Sequence, residues 1–159
     1  ALCGTFPPGG GPECYAQLAA HKGRAVLLLD GYRGVTATLA TGQVDILKIN
    51  VDEVCALTGE PDGAAAVAHC FATWRVGWVA LTDGPRPARL YGPEGTWRYE
   101  LPELAVRNPL GAGDTATGVL LLKVAAGRSV PDTTNRLGTV STTVRLVIVA
   151  NPALDTTMA

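Results

Sequence analysis

The chain has 159 residues, 47% of them hydrophobic, and a formal net charge of −1, which predicts one domain with a substantial core. Basic and acidic residues nearly balance, so the charge pattern that binds nucleic acid is absent. No apolar run reaches membrane-spanning length, and the N-terminus lacks a basic start followed by an apolar stretch, so neither a membrane nor a secretory leader is indicated.

Strands and helices alternate along the first 126 residues. In chain order we predict helix 12–22, strand 25–30, strand 45–49, helix 50–58, helix 62–74, strand 77–83, a hairpin of 88–92 and 96–101, and helix 112–126. This order indicates an α/β fold with a mainly parallel sheet flanked by helices. Ligands of such sheets bind at the carboxyl ends of strands. Asn50, Thr82 and Gly111 are therefore expected to face one crevice.

Cysteines and histidines show no metal-ligand spacing. The four cysteines are far apart, at Cys3, Cys14, Cys55 and Cys70. We interpret them as free thiols, which agrees with a cytoplasmic location. His21 and His69 are isolated on helical segments and are interpreted as structural or surface residues.

Residues 108–115, Asn-Pro-Leu-Gly-Ala-Gly-Asp-Thr, carry the strongest functional signal. Gly111 and Gly113 have no Cβ, so the backbone can turn tightly and approach a ligand. The first amides of the helix that follows are unsatisfied and lie at the positive end of its dipole, which predicts an anion site, above all for phosphate. Asp114 would repel phosphate, so we interpret it as a general base for an attacking hydroxyl. The alternative is that Asp114 only caps the helix.

A second motif lies in residues 45–53, where an apolar strand runs into a helix. Asn50 is a favoured N-cap and Glu53 follows three residues later, as in a capping box. A capped helix alone explains this pattern.

A third motif, Thr82-Asp83-Gly84, ends the next strand, and residues 92–95 form the predicted hairpin turn.

Together the three motifs resemble the ribokinase/PfkB family of sugar kinases. The resemblance implies that Asp114 is the catalytic base and that the amides of Gly111, Ala112 and Gly113 form an anion hole. It further implies a magnesium role for Glu53. It also implies nucleotide contacts for four residues: Lys48, Asn50, Thr82 and Gly84. One magnesium carboxylate is chemically sufficient, because Mg²⁺ keeps several waters.

The resemblance covers residues 1–127 and implies the C-terminal, nucleotide-binding part of a kinase rather than a whole one. Residues 3–9, Cys-Gly-Thr-Phe-Pro-Pro-Gly, resemble a turn found midway through family members. Residues 128–159 have two interpretations: the closing helix and strand of the kinase, or the start of a second copy. In the second case Asp155 would match a sugar-contacting Asp of the family.

The implied activity is ATP-dependent phosphorylation of a sugar or sugar phosphate, with ATP and Mg²⁺ as cofactors. The motif wording looks closest to the phosphofructokinase and tagatose-phosphate kinase branch. A catalytically inactive nucleotide-binding fragment is the alternative, since most sugar-selecting residues are absent. The resemblance leaves a homodimer open for the complete enzyme.

Overall fold

The computed structural model describes residues 1–4, 6, 9–100 and 111–126. Within them lie six strands and five helices: β1 (Leu2–Cys3), α1 (Pro12–Ala20), β2 (Leu28–Asp30), α2 (Thr36–Ala40), β3 (Ile46–Asn50), α3 (Val51–Thr58), α4 (Gly63–Trp74), β4 (Trp78–Asp83), β5 (Arg86–Gly92), β6 (Gly95–Tyr99) and α5 (Ala112–Ala125). Every predicted element within these residues is present, with ends shifted by a few residues. Among the described helices, none is long and apolar enough to cross a membrane.

The strands form one sheet in sequence order, β1-β2-β3-β4-β5-β6. The first four strands pair in parallel, and the β5–β6 hairpin adds two antiparallel strands beyond β4. Helices connect the parallel strands, as crossover connections require. The predicted α/β fold with a mainly parallel sheet flanked by helices is therefore confirmed.

Alternate residues of the central strands pack on opposite faces of the sheet, as the two-residue period of a strand requires. One face buries Leu29, Leu47 and Val79 in the larger core, which also contains residues of α1, α2, α3 and α4. The other face places Leu28 and Ile46 against α5 in a smaller cluster. Helix α5 thus covers one face of the sheet, and the other four described helices contribute to the core on the opposite face.

Two short elements were not predicted. Strand β1 has two residues and α2 has five, Thr36–Ala40, so neither is long enough to show a hydrophobic period. The predicted strand 25–30 is also shorter than expected, because Ala25 and Val26 are exposed and pairing begins at Leu28. Predicted helix 12–22 ends earlier, at Ala20.

Candidate functional site

The carboxyl ends of the four parallel strands lie along one edge of the sheet. Cys3 and Asp30 are register partners at the ends of β1 and β2. Asn50 and Thr82 are register partners near the ends of β3 and β4. Asn50 and Thr82 therefore lie side by side at this edge because of the parallel register of their strands, and one crevice shared with Gly111 stays a prediction.

Lys48 on β3 is a buried cation, with only 9% of its surface exposed. Its ammonium lies 3.1 Å from both carboxylate oxygens of Asp30, its register partner on β2. Thr117 on α5 donates a hydrogen bond of 2.5 Å to Oδ2 of the same carboxylate. A lysine is seldom buried unless it is paired, and this ion pair meets that condition.

The Lys48 ammonium also lies against the first turn of α5. A Cβ placed on Gly113 would come within 2.9 Å of Lys48 Nζ. Gly113 is one of the three residues predicted to supply amides to an anion hole. The structure therefore brings the ammonium of the Lys48–Asp30 ion pair to the N-terminus of α5, where unsatisfied amides and the helix dipole favour an anion.

Helix α5 begins with Gly111 as its N-cap residue, in the left-handed conformation at φ 80°. Gly111 has no side chain, and no side-chain hydrogen bond caps the helix; Asp114 lies in the first turn instead. The Thr115 hydroxyl donates to the Gly111 carbonyl at 2.9 Å. Asp114 is thus not the N-cap residue, and it is an exposed residue of the first turn of the helix.

The pKa of the Cys3 thiol depends on several charged groups at this edge of the sheet. Cys3 is surface-exposed, yet local desolvation and the nearby Asp30 carboxylate raise the pKa of its thiol, and Asp114 contributes a smaller increase. The Lys48 ammonium acts in the opposite direction and lowers it. Cys3, Asp30, Lys48 and Asp114 therefore share one electrostatic environment at the end of β1 and the start of α5.

Asn50 and Glu53 form the predicted capping box. The Glu53 backbone N–H donates to Asn50 Oδ1 at 2.8 Å, and the Asn50 backbone N–H donates to Glu53 Oε2 at 3.1 Å. Both side chains are half-buried. Capping uses one oxygen of the Glu53 carboxylate, and its second oxygen has its own capacity to accept or coordinate.

Thr82 and Gly84 lie where β4 turns into β5. The Thr82 hydroxyl donates to the Ile49 carbonyl of the adjacent strand at 3.4 Å, and Gly84 adopts a left-handed φ of 58°. Arg86 closes the turn by donating to both carboxylate oxygens of Asp83 at 2.6 Å, and this hydrogen-bonded pair lowers the pKa of Asp83. The turn is thus held in place next to Asn50.

Asp30 and Thr117 belong to this cluster, although the sequence analysis did not select them. Asp30 ends an apolar run, a position where a single acid usually only terminates a strand. Thr117 stands three residues after Asp114, on a neighbouring part of the same helical face. These spacings are weak signals, and only the fold shows that Asp30 contacts Lys48 and that Thr117 contacts Asp30.

Comparison with known proteins identifies a family that this chain matches. The model of the pfkB family carbohydrate kinases matches residues 3–148. A 1-phosphofructokinase from Rhodobacter capsulatus is 33% identical over 140 residues, covering 84% of this chain and 44% of the relative. The ATP-dependent 6-phosphofructokinase isozyme 2 of Escherichia coli (strain K12) is 27% identical over 139 residues, covering 82% of this chain and 45% of the relative.

Solved structures agree with this placement. A mutant phosphofructokinase-2 from Escherichia coli matches with a TM-score of 0.73 at 26% identity, covering 83% of this chain and 46% of that chain. A ribokinase from Thermotoga maritima shares the fold, with a TM-score of 0.71 at 16% identity over 84% of this chain and 45% of that chain. The chain thus spans a little under half the length of the curated relatives it matches. Sequence and fold lead to the same conclusion: the chain belongs to the pfkB family of carbohydrate kinases.

Proposed function

We propose that this chain is the nucleotide-binding part of a kinase that transfers the γ-phosphate of ATP to a hydroxyl of a sugar or sugar phosphate. The observation that carries the proposal is the position of Lys48. Its buried ammonium lies beside Gly113 in the first turn of α5. A buried cation and a helix N-terminus at one point favour a multiply charged anion such as a nucleotide phosphate.

In this proposal the amides of Gly111, Ala112 and Gly113 donate to oxygens of the transferring phosphoryl group. Preorganised donors of this kind stabilise the charge of the transition state. Asp114 takes the proton of the attacking hydroxyl and thereby acts as the general base. Its exposed position at the start of α5 leaves it accessible to an acceptor that approaches this end of the sheet.

Magnesium fits the neighbouring residues. Glu53 would contribute a carboxylate oxygen and Asn50 a polar amide, at the sheet edge that also presents Lys48. Among the described residues no group of three or more His, Cys, Asp or Glu side chains could hold a metal. Mg²⁺ needs few protein ligands when water and phosphate complete its shell. When bound, the ion would neutralise phosphate charge and help align the phosphates.

Thr82 and Gly84 are proposed to border the nucleotide beside Asn50. Proteins of this fold support the proposed ligands by analogy. A ribokinase from Arabidopsis thaliana was solved with ribose and ATP, and a putative ribokinase II from E. coli with ATP and Mg²⁺. Phosphofructokinase-2 from E. coli, which is 27% identical, was solved with fructose-6-phosphate. These ligands of related proteins support ATP, Mg²⁺ and a sugar-phosphate acceptor for this chain.

An inactive nucleotide-binding fragment is the second candidate function, and the span of the chain favours it. The chain covers less than half of its curated relatives, and phosphoryl transfer depends on holding the acceptor in line and excluding water. We expect the 159-residue chain alone to bind nucleotide weakly and to phosphorylate sugars negligibly.

The deciding experiment measures ADP release from ATP over a panel of sugars and sugar phosphates. It compares the full natural polypeptide with the 159-residue chain by itself. Turnover by the full polypeptide supports the kinase. ATP binding without turnover on any acceptor favours the fragment that only binds nucleotide. Robust turnover by the chain alone would show that it carries the acceptor site as well.

A further inference from the structure

We infer that Asp30, Thr117 and Gly113 are positioning residues for Lys48. Asp30 and Thr117 hold its ammonium at the first turn of α5, and Gly113 supplies the space that the ammonium needs there. The inference rests on the proposed function, because it assigns these residues to the recognition of nucleotide phosphate. It goes further by naming three residues that determine where the Lys48 ammonium lies.

The sheet holds Lys48 and Asp30 in direct contact. They are register partners on neighbouring parallel strands, so their Cα atoms are held side by side by the sheet itself. The ammonium contacts both carboxylate oxygens at 3.1 Å, and the two side chains are only 11% and 13% exposed. A flexible lysine head is thereby restricted to one place before any ligand arrives, which reduces the entropy lost on binding.

Thr117 is a second hydrogen-bond donor to the Asp30 carboxylate. Its hydroxyl donates to Asp30 Oδ2 from α5, and its own surface is only 4% exposed. Thr117 lies one helical turn after Asp114. The same carboxylate therefore connects the lysine on β3 to the helix whose first turn carries the proposed anion hole. A shift of α5 relative to the sheet would move the amides and the ammonium apart.

Gly113 is the spatial condition for this arrangement. It lies in the helix with no left-handed φ, so backbone conformation does not require a glycine there. A methyl group at this position would approach Lys48 Nζ to 2.9 Å, which is closer than real Cβ contacts allow. Because the ammonium is the mobile end of a long side chain, it is the group that would move away.

Gly118 provides a matched control within the same helix. Within the described part of the chain, a Cβ on Gly118 meets no atom within 4 Å, and its backbone likewise has no left-handed φ. Gly113→Ala and Gly118→Ala therefore make the same chemical change in α5, and both favour the helix. They differ in whether the new methyl group meets Lys48.

The experiment measures dissociation constants for ATP and for adenosine, by calorimetry, in the full natural polypeptide. Gly113→Ala should weaken ATP binding about tenfold, the size expected when a hydrogen bond to a charged group is lost. Adenosine, which has no phosphate, should bind as before, and Gly118→Ala should change neither constant. Neither alanine should lower the melting temperature.

A double-mutant cycle with Lys48→Met shows whether the alanine methyl group displaces the Lys48 ammonium or blocks the phosphate directly. If Gly113 acts by leaving room for the ammonium, Gly113→Ala should have almost no further effect on ATP binding once Lys48→Met has removed the ammonium. If the loss is just as large in that background, the methyl group blocks the phosphate directly and the inference is overturned. An unchanged ATP constant in Gly113→Ala alone would overturn it as well.

Thr117 tests the clamp on Asp30. Thr117→Val keeps the shape but removes the hydroxyl, and should weaken ATP binding several-fold without affecting adenosine. Thr117→Ser keeps the hydroxyl and should restore the ATP constant. Equal ATP constants for valine and serine would remove Thr117 from the positioning set. If the unsubstituted protein binds ATP no better than adenosine, the proposed phosphate site itself fails, a result distinct from the others.

Discussion

Asn50 and Glu53 cap each other's backbone at the start of α3. Asn50 Oδ1 accepts the Glu53 N–H at 2.8 Å, and Glu53 Oε2 accepts the Asn50 N–H at 3.1 Å. Asn50 also sits beside Thr82 at the sheet edge that presents the buried Lys48. The pair that stabilises the helix is therefore the pair proposed to serve magnesium, and the two roles must be separated by experiment.

Glu53→Gln separates them. Glutamine retains an oxygen that can accept the Asn50 N–H, so helix α3 should keep its cap and the melting temperature should change little. The lost charge should raise the magnesium concentration that half-maximal activity requires. Titrating Mg²⁺ against rate in the full natural polypeptide measures this concentration.

Glu13→Gln is the matched control for that titration. Glu13 is also an acid in the first turn of a helix, but it lies on α1 rather than at the site. It should leave the magnesium requirement unchanged. A normal magnesium requirement in Glu53→Gln as well would leave Glu53 with the capping role alone.

Leu47→Ala should strongly destabilise the fold. Leu47 is fully buried at the centre of β3, in the larger core between the sheet and its helices. Deletion of a buried leucine side chain typically costs about 2–5 kcal/mol, since a cavity remains. Urea denaturation gives the change in free energy of unfolding. Leu18→Ala, on an exposed leucine of α1, should cost under about 0.5 kcal/mol; equal losses would contradict the described core.

Cys70 should make stability depend on alkaline pH. Burial raises the pKa of its thiol from 9.0 to about 11, because the thiolate is disfavoured in the core. The contribution to stability is complete below pH 9.0, the unfolded value, and is lost as the pH rises through about 11. Cys70→Ala should therefore show a shallower loss of stability over this range than the unsubstituted protein.

Val67→Ala controls for the cavity that Cys70→Ala creates. Val67 is a buried, non-titrating residue of the same helix. It should lower the free energy of unfolding by the same amount at every pH and keep the original slope. Identical slopes for Cys70→Ala and the unsubstituted protein would show that Cys70 does not titrate in this way.

Most of the fold could be predicted from the sequence because its long elements carry clear patterns. The apolar run before Asn50 determines β3, and the capping pair of Asn50 and Glu53 determines the start of α3. The five-residue helix α2 could not be predicted in the same way, since it covers little more than one turn and its N-cap Val35 makes no side-chain cap. The interpretations of residues 128–159, including Asp155, concern positions outside the described residues.

The site could be predicted only in part, for a different physical reason. Short local motifs can be recognised in the sequence, and they contain Asn50, Thr82 and Gly113. The contacts that hold Lys48 are not local: strand register brings Asp30 to Lys48, and the packing of α5 on the sheet brings Thr117 to Asp30. Such contacts between distant parts of the chain depend on topology, which composition and spacing do not encode.

The central claim is that Asp114 acts as the general base of a sugar kinase, and Asp114→Asn tests it most directly. Asparagine is nearly isosteric but cannot accept the proton of the attacking hydroxyl. Turnover of ATP with its best sugar or sugar-phosphate acceptor should fall by about 10²–10⁴-fold in the full natural polypeptide. The dissociation constant for ATP should stay nearly the same. Near-normal turnover in Asp114→Asn would contradict the assignment of Asp114 as the base.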